Sequence, residues 1–525
     1  MSIDMRLVEA ILNATPGWDA QLAEAGLDAT DVSQILTEAA RLAETTVAPL
    51  AGIADREHCK VVEGRVKTPA GYAEAYRALG ENGWITADLS PEFGGMGLPL
   101  ALNAAVILPF EAAAQPFMMA SGSTRAGAHL LADRAPDLAA DWCPKASEGK
   151  WTITICISEP DAGSDVGRIR TKAVQDGDTW RIDGTKCWIS FGDHDMADRI
   201  GHLCLARTGT PEEGSRGLSL FLVPNDQGIF VERIEEKLGL NGSPTCVLRF
   251  EGAKGHLIGE PGRGLSQLFT MIELMRLQVG GQGAGIALAC AGLARAYAAD
   301  RKQGGKPSAP PVPIDTHPDV QRMLTALDAQ AMLSTALVLE AAATVQAGHG
   351  DAAMSAYAAF LLPLTKTFNG EGACEAAYTA VQVLGGAGYT QEWPAERYYR
   401  DARILTIYEG TTGMQGQDFL MRRLGKDQGA GLAVLAGRIR AGEDSLALRL
   451  LDRFEALVAD VLAQDMGVQM AAADAVLRAG WVLTSAYLAA RLTGVPGCAE
   501  AMRFWQATLE AKMGLYEAEV ARALK

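Results

Sequence analysis

The side chain best suited to acid–base chemistry is Glu409, which follows the apolar stretch ILTIY and precedes Gly410. Apolar surroundings disfavour the charged form of a carboxylate and raise its pKa toward neutrality. A carboxylate with a pKa near the working pH is suited to act as a general base. Taken alone the pattern is weak, because a carboxylate before glycine is more often a solvated turn residue.

A second candidate site combines the segments ISEPDAGSDVGRIRTKA (157–173) and GTKCWIS (184–190). Gly163 and Ser164 belong to a turn that exposes backbone N–H groups and a hydroxyl, and such a turn can hold a phosphate or the polar edge of a flat ring. Trp188, at the end of a following strand, offers an aromatic wall. On the residues alone, an ordinary turn with a core tryptophan is the simpler interpretation.

Other polar or glycine-rich features point to structural roles. GGQGAG (280–285) lies inside a helical pattern and not after a strand, so we interpret it as close helix packing and not as a dinucleotide loop. Asp193, His194 and Asp195 form a polar loop cluster, with a substrate-entrance role as the alternative. The seven histidines lack ligand spacing, so no metal site is predicted. Nine scattered cysteines without a CxxC motif indicate reduced thiols.

The elements that must position these residues follow two different periodicities. Helical spacing predicts an N-terminal helical domain over 1–150, a four-helix bundle with its flanking segments over 265–429, and a helical C-terminal extension over 430–525. Alternating, β-branched stretches predict a β-barrel-like domain over 151–264. The resulting class is α+β, and the absence of βαβ alternation argues against a parallel-sheet nucleotide fold.

Two local expectations are specific enough to check. The helix over 72–84 is expected to stop at Gly83 in the manner of a C-cap. The stretch QDGDTWRIDGTK is expected to form consecutive short strands joined by tight turns.

Composition excludes several classes of partner. The 525 residues carry a formal net charge of −16, with 48% hydrophobic and 21% charged residues, and this acidic balance argues against nucleic-acid binding. Uninterrupted apolar runs stay below about 18 residues, so no membrane span is predicted. The N-terminal pattern is that of an amphipathic helix and not of a signal peptide, which predicts a cytoplasmic protein.

Three motifs, in order, carry a resemblance to a known family. LGENGWITADLSPEFGGMGLP, ISEPDAGSDV and VQVLGGAGYTQEWPAERYYRDARILTIYEGT resemble the acyl-CoA dehydrogenase family, and the resemblance extends over roughly residues 40–425. GDHDMAD (192–198), KLGLNGSPTC (237–246) and the C-terminal extension are similar to the long-form subgroup that includes methylmercaptopropionyl-CoA dehydrogenase.

The resemblance implies an activity, a cofactor and partners. The expected reaction is FAD-dependent α,β-dehydrogenation of an acyl-CoA thioester to the 2-enoyl-CoA, with electrons passed to an electron-transfer flavoprotein. The expected assembly is a homodimer, with a tetramer as the alternative. A flavin oxidase or monooxygenase on the same scaffold is the alternative function, although Glu409 favours the dehydrogenase. A flavin-bearing DNA-associated protein is a further alternative, which the acidic balance opposes.

The resemblance also assigns roles to individual positions of this sequence. Glu409 falls on the catalytic base, while Arg276, Tyr408 and Ser164 fall on substrate contacts. The implied cofactor contacts are Ile157, Ser158, Gly163, Ser164, Trp188, Ser190, Arg301, Gln382, Gly386 and Thr411. The chain departs from the family pattern at Gly304, Pro318 and Gly413, close to the contacts implied for the adenine end of FAD. The acyl group itself is not readable from these motifs.

Overall fold

The helix-spaced and alternating segments of the sequence fold as helices and strands, in a computed structural model that describes residues 3–525. The α-helices, in chain order, are α1 (Met5–Asn13), α2 (Trp18–Glu24), α3 (Ala29–Leu42), α4 (Ala48–Glu57), α5 (Tyr72–Glu81), α6 (Leu100–Arg134), α7 (Pro136–Ser147), α8 (Gly264–Gln267), α9 (Phe269–Asp300), α10 (Pro318–Ala347), α11 (Ala352–Leu384), α12 (Ala395–Ala402), α13 (Thr412–Gln417), α14 (Ala430–Gly442), α15 (Ser445–Leu462), α16 (Met466–Leu492), α17 (Ala499–Gln506) and α18 (Leu509–Ala523). The strands are β1 (Lys60–Val62), β2 (Arg65–Lys67), β3 (Trp151–Cys156), β4 (Lys172–Asp176), β5 (Thr179–Ser190), β6 (Arg199–Arg207), β7 (Leu218–Pro224), β8 (Ile229–Ile234) and β9 (Thr245–Ile258).

The chain packs into two compact units, each built from discontinuous segments. The helical unit contains the chain up to Ala40, Pro99–Ala112 and Arg276–Lys525. The sheet unit contains Arg41–Leu98 and Ala113–Met275. The long apolar helices α6 and α9 each contribute residues to both units. Helix α6 is interrupted at Ala114, whose backbone is not helical.

The sheet unit is organised around one mixed sheet with the strand order β3-β6-β4-β5-β9-β7. β8 pairs with β9, and an additional antiparallel pairing between β6 and β7 closes the sheet into a ring. This closure confirms the barrel-like character expected for the middle of the chain. The ring encloses a core of buried side chains, among them Cys156, Ile182, Cys204, Phe221, Cys246 and Phe250.

The helical unit consists of Ala-rich helices. Single residues determine where some of these helices begin and how closely two of them pack. The Asp351 carboxylate caps α11 by accepting from Ala353 N at 2.8 Å, and Asp465 caps α16 in the same way. A Cβ at Gly283 would lie 2.2 Å from the Asn369 carbonyl oxygen, so α9 and α11 approach more closely than any larger residue allows. The helix-packing interpretation of GGQGAG is therefore confirmed.

The C-terminal helices α14–α18 pack on the bundle through buried charge and close backbone contact. Glu340 on α10 accepts from Arg438 at 2.7 Å and from Arg491, which joins α10 to α14 and α16. A Cβ at Gly416 on α13 would lie 3.1 Å from the backbone of Ala473 on α16. The extension thus supports the short helix that follows Glu409.

One of the two local expectations is confirmed, the other is confirmed in part, and one hairpin was not predicted. Residues 60–67 form a β-hairpin inside the predicted helical domain, with Glu63 and Gly64 at φ 52° and 78° in the two-residue turn. The stretch QDGDTWRIDGTK forms the expected tight turn at Gly177-Asp178, where β4 pairs with β5. Asp183-Gly184 is not a second turn, because β5 continues through it with a register shift against β9. The predicted stop of α5 is confirmed, since Gly83 follows its C-cap with φ 75°.

Three helices, α6, α9 and α10, are long and apolar enough to cross a membrane by length and composition. Their sequences contain no long uninterrupted apolar run, because single polar residues divide them. At least 89% of each apolar window is buried within the chain, so this surface is used in packing.

Candidate active site

Glu409 lies in a tight loop between a 3₁₀ turn at Arg403–Thr406 and α13. Glu409 and Gly410 both have left-handed backbones, with φ of 54° and 90°. Gln415 closes the loop, because its Nε2 donates to the Glu409 carbonyl oxygen at 2.9 Å. A Cβ at Gly410 would lie 2.7 Å from the same amide nitrogen, so glycine is required there.

The Glu409 carboxyl is half-buried beside two positive charges. Burial raises its pKa above the ordinary value, while the charges of Arg276 and Lys366 act in the opposite direction. The raised pKa that the apolar sequence context predicts is therefore present. A carboxylate in this condition is a stronger base than an exposed one.

Lys366 is a fully buried lysine on α11 whose Nζ donates to the Gly410 carbonyl oxygen at 2.6 Å. Burial lowers its pKa to about 8, and the negative charges of Glu409 and Glu371 limit the fall. Lys366 thus fixes the loop from the side of the bundle and places a positive charge near Glu409.

The remaining neighbours of the loop come from α9. Arg276 Nη1 donates to Asp418 Oδ2 at 2.8 Å, so the arginine predicted to hold the CoA moiety is also anchored by an ion pair. The Tyr408 hydroxyl donates to Gln282 Oε1. The helical unit thereby brings together three residues predicted for catalysis and substrate binding: Arg276, Tyr408 and Glu409.

In the sheet unit the structure brings the two halves of the second candidate site together. Cys187 N donates to the Ser158 carbonyl oxygen at 3.0 Å, and Thr154 Oγ1 donates to the Ser190 carbonyl oxygen at 2.7 Å. The fully buried Lys186 donates from Nζ to the Ile157 carbonyl oxygen at 2.9 Å. Segments 157–159 and 186–190 therefore form one surface.

Glu159 organises the turn that follows this surface. Its carboxylate accepts from Arg170 N at 2.7 Å, from Thr171 N at 3.0 Å and from Lys186 Nζ at 2.9 Å. Burial acts to raise its pKa, but Lys186 and these hydrogen bonds outweigh burial and lower it. The exposed residues Gly163 and Ser164 lie in the turn that Glu159 holds in place.

Trp188 is 62% exposed although it lies on a strand of a closed sheet. The register of β5 against β9 shifts between Lys186 and Ile189, and Trp188 has φ 63° at this bulge. A bulge of this kind re-aims a side chain out of the strand's alternation. The interpretation of Trp188 as a core residue is therefore wrong, and its ring is available as a wall.

Four predicted cofactor contacts lie on the surface of the helical unit. Arg301 follows α9, Gln382 is on the last turn of α11, Gly386 follows that helix, and Thr411 precedes α13. All four are exposed. Only Thr411 is brought into the loop of Glu409, so the other three stay predictions for the adenine end of FAD.

The Asp193–His194–Asp195 cluster has a structural role. Asp193 accepts from Val66 N at 2.7 Å, and Asp195 accepts from Thr68 N at 3.0 Å. Burial lowers the pKa of His194 to about 3, so its ring is neutral and bonds to Thr152. These contacts tie the β1–β2 hairpin to the rest of the sheet unit, as the loop interpretation predicts.

Comparison with known proteins places this arrangement in one family. Residues 154–253 match the acyl-CoA dehydrogenase middle domain, and residues 262–424 match the acyl-CoA dehydrogenase C-terminal domain. A 3-methylmercaptopropionyl-CoA dehydrogenase from Ruegeria pomeroyi is 38% identical over 444 residues, which is 80% of this chain and 75% of the relative. The chain belongs to the acyl-CoA dehydrogenase family.

Two further similarities extend over more of the chain. A broad-specificity linear acyl-CoA dehydrogenase, FadE5, from Mycobacterium tuberculosis is 36% identical over 499 residues, covering 88% of this chain and 81% of the relative. The fold resembles that of a Bacillus anthracis acyl-CoA dehydrogenase solved with FAD, with a TM-score of 0.79 over 95% of this chain and 89% of that one, at 19% identity. The chain is thus an acyl-CoA dehydrogenase of the long form and an FAD-dependent oxidoreductase.

The sheet unit of this acyl-CoA dehydrogenase fits a flat ring with polar edges. Much of the Trp188 side chain is exposed, and an exposed aromatic ring in a small site of this kind points to a ligand. A Cβ at Gly163 would meet nothing within 4 Å, so the backbone of the turn is open to close approach. These residues are suited to hold the isoalloxazine ring and a phosphate of FAD.

Sequence reasoning missed Lys366, Gln415 and Gln282, which position the dehydrogenase's base. Lys366 did carry a signal, since it interrupts the apolar run FLLPLTKTF, where an unpaired charge would be costly. Gln415 lies six residues after Glu409, but glutamine in an exposed-looking loop is common. Gln282 is separated from Tyr408 by 126 residues, so only the tertiary fold connects them.

Proposed function

We propose that this chain oxidises an acyl-CoA thioester to the 2-enoyl-CoA, with Glu409 as the base. The observation that carries the proposal is a half-buried carboxyl with a raised pKa, held on a left-handed loop by Gln415 and flanked by the charges of Arg276 and Lys366. The function of an oxidase or monooxygenase on the same scaffold is the alternative.

The role of each group follows from the chemistry of the thioester. FAD, when bound, would supply the acceptor for the β-hydrogen, which leaves as a hydride. Glu409 accepts the α-proton, for which its raised pKa makes it a suitable base. By resemblance to the family, the backbone N–H of Glu409 donates to the thioester oxygen, where negative charge develops as the proton leaves. Gln415 and Lys366 hold the loop and so fix the direction of both groups.

We further propose that an electron-transfer flavoprotein reoxidises the enzyme and that the enzyme is a homodimer. Support comes from the family and from the C-terminal extension typical of the long form. Light scattering on the purified protein should give about twice the chain mass of 55.5 kDa. A mass of one or four chains would contradict the dimer.

Substrate-dependent reduction of an added electron-transfer flavoprotein should be faster than reduction of oxygen.

The decisive experiment compares Glu409→Gln with the wild type in stopped-flow mixing with acyl-CoA. The variant should bind FAD but lose about 10³-fold or more in the rate of flavin bleaching, because glutamine cannot accept the proton. Glu443→Gln is the matched control, since Glu443 is an exposed glutamate with nearly the same left-handed backbone, at φ 53°. Retention of the wild-type bleaching rate by Glu409→Gln would place the base elsewhere. Rapid peroxide formation under air would favour the oxidase.

A further inference from the structure

A group of hydrogen-bonded side chains extends from the catalytic loop into the interior of the helical unit. We call it the polar wall: Glu111 on α6, Gln278 and Gln282 on α9, and Tyr408. Gln278 Nε2 donates to Glu111 Oε1, and Gln282 hydrogen-bonds both Glu111 and the Tyr408 hydroxyl. One continuous chain of hydrogen bonds therefore connects Glu111 to the residue that precedes the base.

Two oxygen atoms of the polar wall are buried without a partner. Glu111 is 0% exposed, and its Oε2 has no hydrogen-bond partner. Gln278 is also buried, and its Oε1 likewise has no hydrogen-bond partner. Buried polar atoms in native proteins are nearly always hydrogen-bonded, so a pair of free oxygens in one cluster indicates a group that the protein alone does not supply.

The chemistry of these two oxygens is complementary. Burial raises the pKa of Glu111 well above its ordinary value, which favours the protonated carboxyl. Its Oε1 already accepts a hydrogen bond from Gln278, so in the protonated carboxyl the proton on Oε2 is free to donate. Gln278 Oε1 can only accept. A hydroxyl group accepts one hydrogen bond and donates another, so it satisfies both atoms, whereas a methylene group satisfies neither.

The polar wall is also continuous with residues predicted to contact the substrate. The segment 276–282 of α9 carries Arg276, whose charge acts on Glu409, and Gln282, which bonds to Tyr408. We propose that the polar wall binds a hydroxyl group on the acyl chain, so that the preferred substrate of this enzyme is a hydroxyacyl-CoA. This inference rests on the proposed dehydrogenase function and specifies its substrate class. The hydroxyl is bound and does not react.

The test uses pairs of substrates that differ in one atom. Straight-chain acyl-CoAs of four to ten carbons are compared with their ω-hydroxy counterparts, and kcat/KM is measured with an artificial electron acceptor. At the chain length that reaches the wall, the hydroxylated member should be preferred by about tenfold or more, because an apolar chain leaves Glu111 and Gln278 unpaired. Shorter and longer pairs should show a smaller preference.

Variants locate the preference on the polar wall. Glu111→Leu should abolish the hydroxyl preference, while Glu111→Gln should keep it, because the amide still presents a donor beside Gln278. Gln278→Leu tests the same site from the other helix if Glu111→Leu does not fold. Glu236→Leu, at an exposed carboxylate, is the control and should leave the ratio unchanged.

The outcomes separate this inference from the proposed function. The wild-type flavin could be bleached by apolar acyl-CoAs without any preference for the hydroxylated substrate at any chain length. The proposed dehydrogenase function would then hold, but the polar wall would be satisfied by water alone, which overturns the inference. A preference that survives in Glu111→Leu or Gln278→Leu would also overturn it. Absence of bleaching with every thioester would instead overturn the proposed function.

Discussion

Replacing Lys366 by methionine tests whether the charge near Glu409 tunes the base. Lys366 is fully buried and its positive charge lowers the pKa of Glu409, against the larger effect of burial. Its own pKa of about 8 means that roughly nine-tenths of the side chain is charged at pH 7. An opposite charge within about 4–6 Å lowers a carboxyl pKa by about 1–3 units. Because Arg276 remains, we expect the pKa of Glu409 to rise by about one unit in Lys366→Met.

The sign of the effect on activity is fixed by the form that reacts. Glu409 must be ionised to accept a proton, so bleaching accelerates as pH rises through its pKa. The rise of the bleaching rate with pH is the acid limb of the profile. In Lys366→Met the midpoint of this limb should move up by about one pH unit. At pH values below the midpoint the bleaching rate should therefore fall about tenfold. Above pH 8 the wild-type lysine loses its own charge, so the difference between the two proteins should narrow there.

The assay is stopped-flow flavin bleaching with a saturating acyl-CoA between pH 5 and 9. Methionine preserves most of the buried stem, but Gly410 loses its donor at 2.6 Å, so a moderate fall of the high-pH plateau is also expected. Lys426→Met removes an exposed lysine as the control. An acid limb that stays within about 0.3 units of the wild type, in a variant that retains FAD, would refute the electrostatic reasoning. An equal loss of rate at every pH would assign Lys366 to loop placement alone.

Three further variants, one of them a control, test the residues that support the site. Gly416→Val should destabilise the protein by about 1–3 kcal/mol and slow bleaching, because its side chain meets the Ala473 backbone, whereas Gly413→Ala points into open space and should change the melting temperature little. Glu159→Gln should cost about 3–5 kcal/mol, since it leaves the charge of Lys186 buried, and should reduce FAD retention measured by gel filtration. Because the pKa of Glu159 is lowered in the fold, its stabilisation is present above its unfolded pKa and is lost as pH falls through the lowered value. An acid-unfolding midpoint that Glu159→Gln does not shift would contradict this assignment.

The sequence predicted elements well where a long periodic segment decides the structure. The long helices α9, α10 and α11 and the helices α14–α18 all lie in segments predicted to be helical, because each is a long stretch rich in apolar residues. The β1–β2 hairpin was missed because its strands have only three residues each, although Glu63-Gly64 between apolar residues is a turn signal. Asp183-Gly184 carried the same kind of signal and gave a bulge, because the strand continues and Gly184 packs against Thr171.

The candidate site was only partly predictable for a related reason. Glu409 and Trp188 lie in motifs and could be named, but the conditions that make them functional come from residues distant in sequence. Lys366 is 44 residues from Gly410, and Glu111 is 167 residues from Gln278. Such pairs leave no local pattern, and a single sequence cannot show which lysine or glutamate the fold brings to the loop.

The left-handed backbones of Trp188 and Glu409 have a consequence for how this enzyme can change over time. Glycine adopts that conformation without the steric cost of a Cβ, so losing either side chain would relieve local strain of about 1 kcal/mol and would not unfold the protein. Selection for thermal stability alone would therefore favour glycine at both positions, and glycine cannot perform the function of either side chain. Descendants that lose the reaction can keep the architecture, which leaves the scaffold free to acquire another activity or a purely binding role.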